Sequence, residues 1–202
     1  MSLNVLRCKG TFVSRLFIAA VLVVLLGGCR HSMQSNPQAN DALLALKKLQ
    51  AKTETGIAYN EYLSALGDAN FAVKSFLDSE DAKSQPDLSS SLQEAIKWYR
   101  AASEVWSEST GEYATSYEPC VKGMVTLPLC DSYPELVTPV FKDSSATEPG
   151  IRYQLAMQES WEFAKFAVEN ANLATKGQPI RDSKNFQAAF ISGLRQHYPA
   201  KP

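Results

Sequence analysis

Apolar residues recur at helical spacing along most of the chain. Leu43, Leu46 and Leu49 repeat every three positions, and Asn40 or Asp41 is suited to cap the helix they predict. After Thr55-Gly56 the pattern resumes with Tyr59, Tyr62, Leu63, Leu66, Ala69, Val73, Phe76 and Leu77. These are the i, i+3, i+4 and i+7 positions of one helix face. Gly56 leaves open whether this is one long helix or two. The charged run 78–87 (DSEDAKSQPD) ends in Pro86-Asp87 and predicts a turn.

A third helix is expected over 88–107, where Leu92, Ala95, Ile96, Tyr99, Ala102, Val105 and Trp106 share a face. Asp87 would cap it, with Ser91 and Glu94 as a weaker capping box. A fourth covers 151–176, rich in alanine and carrying Met157, Trp161 and Val168. It ends at Lys176-Gly177, a cation in the last turn before a residue free to take positive φ. The last runs from Ser183 to Tyr198 through Phe186, Ala189, Phe190 and Leu194. The pattern predicts an all-α fold, a four- to five-helix bundle.

Residues 108–150 interrupt it. They hold prolines 119, 128, 134, 139 and 149, Cys120 and Cys130, and short apolar pieces such as VTLPL and ELVTPVF. Proline at that density excludes long helices. A long loop between the third and fourth helices is expected, either as a binding surface or as a cover for one end of the bundle. Glu61, Leu63 and Ala69 match Glu94, Ile96 and Ala102 at a tetratricopeptide-like period. The glycine-tyrosine core of that motif is missing, so amphipathic helices of similar length explain the matches as well.

The amino terminus follows a different rule. Arg7, Lys9 and Arg15 are its only charges before an unbroken apolar run from Leu16 to Leu26, and Gly27, Gly28 and Cys29 close that run. Positive start, short apolar centre and small-residue exit make a secretory signal peptide. A span needs about 20 apolar residues, and this run is too short to remain as one. Leu26-Gly27-Gly28-Cys29 resembles the lipobox of bacterial lipoproteins. The resemblance implies diacylglycerol on the Cys29 thiol, cleavage between Gly28 and Cys29, and acylation of the new amino terminus. It divides the chain into a signal peptide (1–28), a lipidated polar tether (29–40) and one helical domain (41–202). It also implies a cell-envelope protein held on a membrane by lipid. Arg30, where an Asp signals inner-membrane retention in enterobacteria-like lipoproteins, favours the outer membrane, with the body facing the periplasm.

Composition narrows the rest. The formal net charge is −1, and loss of Arg7, Lys9 and Arg15 leaves a mildly acidic body without a basic cluster, which argues against a nucleic-acid partner. Of four cysteines, Cys8 leaves with the signal and Cys29 takes the lipid. Cys120 and Cys130 remain, most simply as a disulfide in an oxidising compartment, with a redox or metal pair as the rival. His31 lies in the tether and His197 near the end, so neither a Ser-His-Asp set nor a Glu-x-x-His di-iron pair is expected.

Glu159 and Glu162 share a helix at the spacing of an acid–base pair, although Lys165 points to an ion-paired surface. Asp78, Glu80 and Asp81 could surround calcium or simply form a solvated turn. Trp98, Phe163 and Phe166 fall off the core stripes and would form a contact surface if exposed together. The expectation is therefore a non-catalytic envelope lipoprotein, without cofactor or metal. It would act as an adaptor or accessory subunit for another envelope protein. A small-ligand or lipid-binding helical bundle is the alternative, with a tetratricopeptide-like interaction module behind it.

Overall fold

The computed structural model describes residues 36–110, 117–120, 128–143 and 146–197. Gly28, Cys29 and most of the expected tether lie outside the described residues. The body is mostly helical. Helices α1 (Pro37–Thr55) and α2 (Tyr59–Leu77) come first, then the short α3 (Glu80–Ser84) and the long α4 (Pro86–Ser109). Strand β1 (Tyr117–Pro119), short α5 (Pro128–Ser132), a 3₁₀ turn (Pro134–Leu136), β2 (Thr138–Asp143) and β3 (Ala146–Arg152) follow. Helices α6 (Tyr153–Ala174) and α7 (Ser183–His197) complete the order.

Helix α1 starts earlier than its pattern suggests. Asn36, not Asn40 or Asp41, is the cap, and its side-chain oxygen accepts from the amides of Gln38 and Ala39 at 2.8 and 3.3 Å. Pro37 occupies the first helical position, where its missing N–H costs nothing and its φ is already helical. Proline shifts the start of α4 in the same way. Pro86 is the first helical residue, so Asp87 lies inside the helix, and Ser91 donates to its carbonyl at 2.7 Å. The expected capping box does not form.

Gly56 resolves the one-or-two question. Its φ of 90° is open to glycine and strained for other residues, and the chain reverses there. Lys52 then meets Glu61 at 2.8 Å near the reversal. At the other end of the pair Asn36 donates to Asp81 at 2.8 Å, so α1 and α2 run antiparallel. At the end of α6 the amide of Gln178 donates to Leu173 and that of Gly177 to Ala174, both at 3.0 Å. With Gly177 at φ 66°, this is a Schellman termination.

The interior is apolar and aromatic. Leu46, Leu49, Tyr62, Phe76, Leu88, Leu92, Tyr99 and Phe163 are essentially closed to solvent. The most extensive helix interface joins α4 and α6, the two helices that flank the proline-rich region.

That region is more ordered than a loop. Its strands form a three-stranded antiparallel sheet in the order β1-β3-β2, with Glu118 opposite Ile151 and Val140 opposite Glu148. Pro139 and Pro149 are partners in register, so two residues lacking an amide donor share one rung. The Cys120 amide donates to the Pro149 carbonyl at 2.7 Å. Cys120 and Cys130 form the expected disulfide, with Cα atoms 5.9 Å apart. The closed loop is short, and its chain entropy corresponds to about 2.5–3 kcal/mol. Reduction should therefore lower the urea midpoint by a matching amount. An unchanged midpoint with dithiothreitol would mean that the sheet holds itself together without the bond.

Candidate functional site

The reversal at Gly56 sets Tyr59 in the first turn of α2, beside the last turns of α4. Four large rings meet there. Tyr59 lies 5.2 Å from Trp106, Tyr62 lies 5.7 Å from Trp106 and 6.2 Å from Trp161, and the two indoles are 5.9 Å apart at 73°. The inclined, edge-on geometry suits the ring quadrupoles. The Tyr62 hydroxyl donates to the Tyr99 carbonyl at 2.6 Å, and that of Tyr59 to Ser103 at 3.4 Å. Tyr62 is fully buried, whereas Tyr59, Trp106 and Trp161 are half-buried and Leu63, one turn beyond Tyr59, is 40% exposed.

Burial pushes the Tyr62 and Tyr99 phenols well above the ordinary tyrosine range, so both stay neutral at physiological pH. Beside this cluster runs an ion pair. Glu54 of α1 meets Lys165 of α6 at 3.3 Å, and its carboxyl is lowered by the Gln50 amide first and Lys165 second. Lys165 is raised in turn by its hydrogen bond to Glu54 and then by Glu162. The arrangement offers a semi-exposed aromatic and aliphatic surface with a charged margin. Large aromatics so placed are the usual anchors of protein interfaces.

The structure relocates several residues singled out by pattern. Trp98, Phe163 and Phe166 do come together, but inside the protein, at 1%, 1% and 7% exposure. Trp98 and Phe163 are 4.9 Å apart edge to face. Helix α7 covers the two phenylalanines, with Phe186 stacked on Phe166 at 4.0 Å and Phe190 5.7 Å from Phe163, while Tyr133 lies 6.3 Å from Trp98. Glu94 of α4 fixes this helix by accepting from Ser183 at 2.6 Å and Gln187 at 3.1 Å. The expected contact surface is thus interior, and its two phenylalanines seat the chain's own last helix.

Glu159 and Glu162 part company, with Glu159 buried and Glu162 half-buried at the margin. Lys165 makes its ion pair with Glu54 across helices, and Glu162 on its own helix acts on it through charge alone. Near α3, Glu80 holds Lys83 at 2.8 Å and Asp81 accepts from Asn36. No group of three or more His, Cys, Asp or Glu side chains is placed to hold a metal ion among the described residues. No described helix is long and apolar enough to cross a membrane.

Among the described residues three large apolar side chains are exposed: Leu44 at 51%, Leu63 at 40% and Phe71 at 77%. Leu63 belonged to the expected core stripe, but the buried line runs through Tyr62, Leu66, Ala69, Val73 and Phe76 and leaves it at the edge. Phe71 lies off that stripe, which is the one sign its exposure gave. No protein-family model, no curated protein and no solved structure matches this chain.

Proposed function

We propose that the chain is a non-catalytic lipoprotein of a bacterial cell envelope, anchored through Cys29 after cleavage behind Gly28. It serves as an adaptor that holds or guides another envelope protein beside the membrane, with the outer membrane as the anchoring site. The observation that carries this reading is the half-buried cluster of Tyr59, Trp106 and Trp161 with exposed Leu63. The four long helices are read as a bundle, with α1 and α4 running opposite to α2 and α6. The cluster then lies at the end where α1 gives way to α2, away from the tether's entry at Asn36. A partner reached from a membrane anchor would be met at that distal end.

A tetratricopeptide-like module fits less well, because the principal helix interface joins α4 to α6 across the stapled sheet and not to a sequence neighbour. Against ligand binding between helices, the rings of Tyr62, Trp106 and Trp161 pack on one another where α2, α4 and α6 meet. The groove between α1 and α6, about 350 Å³, is lined by charged and amide groups such as Lys47, Gln50, Glu54, Glu169 and Asn172.

Photo-crosslinking residues placed at Leu63 and Trp106 in cells test the adaptor reading. One discrete partner adduct from both positions is expected, lost when the other position carries a charge (Leu63→Glu for the Trp106 probe). Adducts to many proteins, or none while a probe in a known envelope complex reacts, would overturn it.

A further inference from the structure

We propose that the Phe71 end of α2 rests on the bilayer surface, its ring entering the apolar margin beside the lipid anchor. This rests on the lipoprotein reading above and names a second, non-covalent contact with the same membrane.

The argument starts from exposure. Phe71 is 77% open, far more than any other large apolar side chain among the described residues. A single exposed ring is ordinary on a protein surface, so what singles this one out is its place relative to the anchor. The fold then fixes where that ring is. Phe71 shares an open groove of about 520 Å³ with Gln38, Lys74, Ser75, Asp78 and Ser79. Gln38 is in the first turn of α1, next to the Asn36 cap that also holds Asp81. Phe71 therefore stands at the end of the helix pair where the chain enters from Cys29.

Chain length sets the reach. Cys29 precedes Asn36 by seven residues. Even fully extended, these span about 25 Å, less than the thickness of a bilayer. A body tied that closely presents its entry end to the lipid surface for much of the time. Contact there is intramolecular, and the effective concentration of bilayer is high enough for one aromatic ring to matter.

Charge decides the kind of contact. The groove carries one cation, Lys74, and one anion, Asp78, and exposed Glu80 and Asp81 lie just beyond. An anionic headgroup layer finds no basic patch here. The occupant is the apolar edge of the bilayer, and the contact does not draw on charge.

The test uses the acylated full-length protein in phosphatidylcholine vesicles. With Cys29 lipidated and Cys120 bonded to Cys130, Phe71→Cys supplies one free thiol for a nitrobenzoxadiazole label, and Leu63→Cys supplies the distal control. A blue-shifted emission at 71, quenched by lipids carrying a shallow nitroxide, with position 63 unaffected, is the expected result. A parallel arm uses Cys29→Ser protein, labelled at the same positions and tethered through an amino-terminal histidine tag to nickel-chelating lipid. A label at 71 that stays in water in both arms overturns the docking and leaves the anchor standing. A dry label in the tagged arm, with no lipid found on native Cys29, supports the surface and overturns the anchor alone.

Discussion

Phe163→Ala should lower stability by about 3–5 kcal/mol, the range for deleting a buried aromatic side chain. Phe163 touches Trp98 from α4 and both Phe186 and Phe190 from α7, so its loss opens space on two sides. Collapse is hard, because α4 and α6 are held by their long common interface. The cavity remains, and α7 loses its principal seat. The damage should therefore be uneven. Hydrogen exchange is expected to accelerate over Ser183–His197, while the amides of α1 and α2 keep their protection until global unfolding. Phe71→Ala, at an exposed site, should change stability by about 0.5 kcal/mol or less. Equal urea midpoints for the two variants would mean that the aromatic seat of α7 contributes no packing energy.

That seat also explains where sequence pattern succeeded and where it failed. Leu43, Leu46 and Leu49 were legible because α1 buries a single stripe. The same reasoning placed Trp98, Phe163 and Phe166 outside the core, because it gives each helix one apolar face. Helices α4 and α6 have two, since neighbours cover them on opposite sides. A second buried arc looks like an exposed patch until the covering helix is known. The order of helices survived this error, because periodicity and glycine breaks are local. The strands did not show, because prolines 119, 139 and 149 speak against a sheet residue by residue. Pro119 and Pro139 lie on the two edge strands, where a missing amide costs least, and which strands become edges is settled only by the assembled sheet. The disulfide needed only counting. The Tyr59–Trp106–Trp161 cluster was half visible: each ring sat on a recognised face, but that the faces meet follows from packing alone.

Cys29→Ser is expected to abolish incorporation of labelled fatty acid, an all-or-none change. A serine hydroxyl does not form the thioether, and the other cysteines cannot substitute, since Cys8 lies ahead of the apolar run and Cys120 and Cys130 are joined to each other. Replacing residues 1–29 by an ordinary cleavable secretory leader should then release the body into the soluble periplasmic fraction. The size of the effect follows from chain chemistry. Each buried methylene contributes about 0.8 kcal/mol, so two acyl chains hold stably where one holds marginally. One phenylalanine cannot replace that. The proposed contact at Phe71 draws its strength from being tethered, and a body free in solution loses the effective concentration that makes it significant. Fatty acid retained on the Cys29→Ser protein would place the lipid elsewhere and end the lipobox reading. A released body that still sediments with membranes would mean that the protein surface itself carries the attachment. In that event Phe71→Glu should free it, and the anchor would be the lesser of the two contacts.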